Sequence, residues 1–368
     1  MAAGARVGLV VNPIAGMGGR VGLKGTDGEA YYEAVRRGAR PVAPLRAAEF
    51  LRALPAGLRL LVPNGVMGEE EAREHGAHLE VEVVRCAGEA WPTTADDTRR
   101  CAAAMADRVA ILAFVGGDGT ARDVVSAVGE RVPVIGVPAG VKMYSAVFAQ
   151  TPRDAALAVA EYLAGRLGLV RAEVLDIDED AFRAGRLSVR HYGYATVPGS
   201  PRVVTSGKEA MQYDEEELRS IARYVVDNMV DGALYILGPG STVAAIAAEL
   251  GFPKTLLGVD AVTKEGVVGL DLDERGLLEA VGRYGRAYIV LSPIGGQGFI
   301  LGRGNQQISP AVVRAVGVGN IIVVATKSKL RDLRVLRVDT GDPELDEALR
   351  GYRRVVVGYG EEMVVKVV

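Results

Sequence analysis

The 368-residue sequence is short of cysteine, of net charge and of long apolar runs, and each shortage excludes something. Lys and Arg total 43 against 46 Asp and Glu, for a net charge of -3. No basic excess is present to track a phosphate backbone, so nucleic acid is not an expected partner. No apolar run approaches the ~20 residues that cross a bilayer. The first residues lack a charged segment followed by a long apolar one, so neither a signal peptide nor a membrane is expected. Cys86 and Cys101 are the only cysteines. Both a disulfide and two thiols fit that pair; the expectation is the reduced pair of a cytoplasmic protein. The three histidines, His75, His78 and His191, form no metal motif. The acidic run from Asp176 to Asp180 lacks the spacing of a calcium loop and reads as a solvated strand end. The one tryptophan, Trp91, sits beside Pro92 and reads as packing. A Gly-x-x-x-x-Gly-Lys-[Ser/Thr] loop is also missing, which excludes that route to ATP.

What is present is a globular balance: 49% hydrophobic and 24% charged residues, enough for a sizeable core. The length exceeds what one core usually supports, so two or three domains are expected. Short apolar runs at residues 6–12, 58–63, 81–85, 109–115 and 132–137 read as buried strands. Helical stretches at 31–37, 47–54, 95–107 and 121–128 separate most of them. This alternation predicts βαβ units and an open parallel sheet. The middle differs, with strands expected at 172–177, 187–197 and 201–204 and an acidic-ended helix at 214–229. Further strands are expected at 233–237, 287–291 and 321–325, and a hairpin at 353–368 turning around 358–361.

Three strands run into glycine-rich turns, after Val115, Leu237 and Leu291. The carboxyl ends of parallel strands are where α/β proteins place ligands. In the first turn, the Gly116, Gly117 and Gly119 amides can approach phosphate oxygens, and the helix that follows adds its positive end. Asp118 stands among these glycines, suited to act as a base on a hydroxyl or to hold Mg²⁺ against phosphates. Thr120 offers a hydroxyl for a cap or for a phosphate. A plain tight turn with a helix cap is the blander alternative. After Val137, Lys142 is the lone cation of a small-residue stretch, either neutralising transferred phosphate or lying along the surface. Asp123 reads as a contact to metal or ribose, or as an exposed carboxylate of a first helical turn. The turn from Gly238 to Ser241 and Thr242 suits a second phosphate, or a simple N-cap at Ser241.

The Gly-Gly-Asp-Gly-Thr run from Gly116 resembles the signature of the NAD kinase, diacylglycerol kinase and phosphofructokinase superfamily. By that resemblance the loop binds nucleotide phosphates and Asp118 is the base on the receiving hydroxyl. The stretch from Ser292 to Pro310, with Gly295, Gly296, Gln297, Phe299, Arg303 and Asn305, resembles the second NAD kinase signature, which contacts the dinucleotide. It departs from that signature at Gln297 and Gly298, and Arg303, Asn305 and Gln306 replace smaller residues. Asn12-Pro13 and the glycines to Gly19 resemble the first nucleotide loop, where Arg20 and Lys24 add charge or lie in solvent. Over nearly its whole length the chain is similar to the ATP-NAD kinase-like family.

The expectation is therefore an α/β chain with an N-terminal Rossmann-like parallel-sheet domain at 1–150. A β-rich plus α/β substrate domain is expected at 151–335, and C-terminal strands at 336–368 returning to the first domain. By resemblance, ATP or polyphosphate donates a phosphoryl group to NAD, with Mg²⁺, in a homo-oligomer. A kinase of another small-molecule or lipid-like alcohol, and a non-catalytic nucleotide sensor, are the alternatives.

Overall fold

The computed structural model describes residues 5–368 except 24, 27, 141–142, 178–188, 201, 204–214, 256 and 295–296. The chain divides into two compact units. Residues 1–18 and 24–206 form the first, and residues 19–23 and 207–368 the second. The strands at 169–177 and 189–198 pack into the core of the first unit.

The first unit is built on β1 (Arg6–Val11), β2 (Arg59–Pro63), β3 (Glu80–Val84), β4 (Ile111–Gly116) and β5 (Val134–Pro138). They lie in the order β3-β2-β1-β4-β5, and every neighbouring pair is parallel. Between them run α1 (Glu29–Arg36), α2 (Ala43–Ala53), α3 (Glu69–His75), α4 (Ala95–Ala106) and α5 (Asp118–Val128), with α6 (Pro152–Leu163) following β5. Ile111 to Val115 are wholly buried, as a strand covered on both faces must be. Antiparallel β6 (Leu169–Ile177) and β7 (Val189–Pro198) close the unit. Strand order reverses at β1 and β4, and the crevice outside the carboxyl ends at such a point is where these folds take ligands. Cys86 and Cys101 are joined in a disulfide, contrary to the reduced pair expected. Trp91 stays 54% exposed, its indole N–H donating to Tyr31 Oη at 2.8 Å.

The second unit opens with α7 (Glu215–Asp227), β8 (Leu234–Leu237), α8 (Ser241–Glu249), β9 (Asp260–Val262), β10 (Val267–Gly269) and α9 (Glu274–Tyr284). There follow β11 (Ala287–Leu291), β12 (Phe299–Leu301), α10 (Pro310–Val316), β13 (Ile321–Val324), α11 (Lys327–Leu333), β14 (Arg337–Val338) and α12 (Pro343–Leu349). The chain ends in β15 (Gly351–Gly358) and β16 (Glu361–Val367). Seven strands form one mixed sheet in the order β10-β9-β8-β11-β13-β15-β16. Its centre, β8, β11, β13 and β15, is parallel. The final hairpin, expected to return to the first domain, is paired here through β13 and β15. The hydrophobic alternation that marks a hairpin does not name the sheet it joins.

Candidate functional site

Three loops of the first unit meet at the strand-order reversal. Asn12 follows β1, and its backbone N–H donates to Val115 O at 3.0 Å. Its side-chain amide donates to Thr120 Oγ1 at 3.0 Å, tying the first loop to the start of α5. A Cβ on Gly116 would lie 2.3 Å from Thr120 Oγ1, so only glycine lets that threonine fold back over the strand end. Gly16, with φ +76°, brings the first loop onto the third, where a Cβ would meet Ala139 O at 1.7 Å. Gly117 and Gly140 approach so closely that a Cβ on Gly140 would lie 2.6 Å from Gly117 Cα.

The helix after β4 starts at Asp118 rather than at 121 as expected. Gly117 is its N-cap and offers no side chain, so Thr120 lies inside the first turn and does not cap it. The amides of Asp118, Gly119 and Thr120 therefore have no acceptor within the helix, and they carry the positive end of its dipole. Such an end receives phosphate readily.

Asp118 is 5% exposed. Its Oδ2 accepts from the Tyr144 N–H at 2.6 Å and its Oδ1 from the Ser145 N–H at 2.9 Å. Ser145 is fixed in turn by Leu175, its Oγ donating to the carbonyl at 2.7 Å and accepting from the N–H at 3.0 Å. Burial pushes the Asp118 carboxyl up to about 7 against the pull of these hydrogen bonds, and the Asp176 charge adds to the rise. A carboxylate near neutrality is matched to taking a proton from a hydroxyl. Tyr144 is pushed up to about 12, first by burial and then by Asp118.

Asp176 had read as a solvated strand end. It lies at the end of β6, ion-paired with Arg122 at 2.8 Å and close enough to act on Asp118. The acidic run was visible in the sequence, but nothing in it paired β6 with the Asp118 loop. Asp123 is neither exposed nor in the first turn of α5. It is buried, and Arg99 Nη1 donates to its Oδ1 at 2.7 Å, which commits the carboxylate to a protein cation. Lys142, Gly295 and Gly296 lie outside the described residues.

In the second unit, Gly238 and Gly240 turn the chain from β8 into α8. Gly240, not Ser241, is the N-cap, and no side chain caps the helix. Ser241 is exposed, whereas Thr242 is wholly buried and its Oγ1 has no hydrogen-bond partner among the described residues. Several residues expected to line a substrate site make contacts within the fold. Phe299 is 1% exposed, and the Arg303 guanidinium stacks on its ring at 4.5 Å. Arg303 also pairs with buried Asp339 at 3.3 Å. Asn305 accepts from the Gly302 N–H at 3.1 Å and donates to Ile300 O at 2.9 Å, so it pins its own loop. Gln297 is partly buried, with its N–H on Ile294 O at 3.2 Å. Among the described residues no helix is long and apolar enough to cross a membrane.

Residues 7–167 match the family model described as the ATP-NAD kinase N-terminal domain. Residues 230–367 match the one described as the ATP-NAD kinase C-terminal domain. No curated protein matches the chain.

Proposed function

Because the chain belongs to the NAD kinase family and is thereby a phosphotransferase, we propose that it moves a phosphoryl group from ATP or polyphosphate to a hydroxyl of NAD, giving NADP. The observation that carries this reading is the buried Asp118 carboxylate, held near neutrality at the opening of an uncapped helix where the parallel sheet reverses its strand order. In this reading Asp118 accepts the proton of the acceptor hydroxyl. The freed oxygen forms a bond to the terminal phosphorus while the bond from that phosphorus to its bridging oxygen breaks. ADP, or a polyphosphate one unit shorter, departs. The amides of Asp118, Gly119 and Thr120 hold donor phosphate oxygens, with Asn12 keeping Thr120 in place. Phosphoryl transfer asks little more of a protein than position and charge.

A magnesium ion arriving with the donor needs only one or two protein carboxylates. Asp176 is already paired with Arg122 at 2.8 Å and Asp118 serves as the base, so the ion would be held largely by the donor phosphates and water, and would supply charge neutralisation there.

The test is to incubate the pure protein with NAD, Mg²⁺ and either ATP or polyphosphate, and to separate the nucleotides. NADP with one donor supports the reading and names that donor; no NADP with either rejects NAD as acceptor. A second reading keeps the chemistry and changes the alcohol. It is favoured by Phe299, Arg303 and Asn305, whose side chains stack and bond within the fold.

A further inference from the structure

The carboxyl ends of three adjacent parallel strands of the second unit carry a group of hydrogen-bond donors. The turn of Gly238 and Gly240 follows β8, Ser292 follows β11, and Lys329 lies in α11 after β13. Gly238 N–H donates to Val290 O at 2.9 Å, and a Cβ on Gly240 would lie 3.9 Å from Ser292 Cβ, so the first two loops touch. Lys329 Nζ donates to Ser292 Oγ at 3.2 Å and links the third.

Lys329 is 5% exposed, and no carboxylate of the described residues lies within 4.0 Å of its ammonium. Two other buried cations of this unit are each answered by a carboxylate: Lys254 by Asp260 at 2.9 Å and Arg303 by Asp339 at 3.3 Å. Burial alone pulls Lys329 down to about 8. A buried ammonium without a counter-ion disfavours the folded state, and such features persist where function needs them. Thr242, in the first turn of α8, is a second unsatisfied group, its buried Oγ1 without a partner among the described residues. Ser292 accepts from Lys329 and so keeps its own proton to donate. Every group here donates: an ammonium, two hydroxyls and the uncapped amides of a nine-residue helix. The complement is a ligand that only accepts and carries negative charge.

We propose that the second unit holds an oxyanion site, formed by Lys329, Ser292, Thr242 and the amides that open α8, and that it takes a phosphate group. The group belongs either to a nucleotide or to free phosphate. Such a site does not depend on NAD being the acceptor.

Calorimetric titration of the full chain with inorganic phosphate and with AMP tests this. Saturable binding of one probe is expected, weakened at least about tenfold by Lys329→Met or Thr242→Val. Tighter AMP assigns a nucleotide source, and tighter phosphate a free anion. The ligand-free Lys329→Met protein is expected to melt no lower than the parent, since relief of the buried charge offsets the lost hydrogen bond to Ser292. Binding of neither probe, or equal affinity in both variants, overturns the proposal. So does a marked fall in the melting temperature of ligand-free Lys329→Met, which would make the ammonium a structural group.

Discussion

Replacing Asp118 by Asn separates the stability of the site from its chemistry. The wild-type carboxyl is raised from 3.8 to about 7, a rise of about 3 units. At about 1.4 kcal/mol per unit this amounts to ~4 kcal/mol. The folded pKa lies above the unfolded one, so the group's stabilising contribution is complete below about pH 4. It is lost as pH rises towards 7, because the unfolded chain releases this proton more readily. The amide introduced by Asp118→Asn resembles the protonated acid, with one acceptor for two backbone N–H groups and a donor opposed to the other. The two proteins should therefore unfold at nearly the same urea concentration at pH 4. By pH 8 the Asn variant should be the more stable, by up to ~4 kcal/mol. Turnover should fall by about 10²–10⁴, the usual worth of a positioned base. Urea titrations of both proteins from pH 4 to 8, with circular dichroism as the readout, measure the first effect. Parallel stability profiles would refute the buried, raised carboxyl, and wild-type turnover would refute its role as a base.

Three further outcomes are expected. Gly116→Ala places a Cβ against Thr120 and should lower stability by about 1–3 kcal/mol, while raising KM for the phosphate donor as the tie to Asn12 is displaced; thermal melts and steady-state kinetics measure the two effects. Arg303→Met takes a cation away from buried Asp339 and should lower stability by about 3–5 kcal/mol, much of it recovered in the double variant with Asp339→Leu, as denaturant titration will show. Reducing the Cys86–Cys101 disulfide, which spans 15 residues, should lower stability by about 3 kcal/mol, seen as a lower melting temperature in reductant.

The parallel sheet of the first unit was legible because β1, β2, β4 and β5 are short apolar runs ended by Asn, Gly or Pro, whereas β3, expected to be buried, is an exposed edge with Glu80 and Glu82. The start of α5 was not, since Gly-Gly-Asp-Gly-Thr is poor helix material and only the packed loop makes it the first turn. The short helices α10 and α12 are too brief for a periodic signal and were not expected; in the structure Ser309 and Asp342 cap them, each with a proline as first helical residue. Around Asn305 the residue types were readable but their use was not. An amide among glycines serves a ligand or its own backbone equally well in sequence, and here Gly302 and Ile300 take it. Lys329 and Asp176 acquire meaning only from strands far away in the chain, which no local pattern conveys.

The central claim is that Asp118 takes the proton in phosphoryl transfer. The pH dependence of kcat/KM for the acceptor tests it most directly. The account predicts a rate that rises with pH through about 7 in the wild type, with that limb absent in Asp118→Asn. A rate already at its plateau at pH 5, or the same limb in the variant, would contradict it.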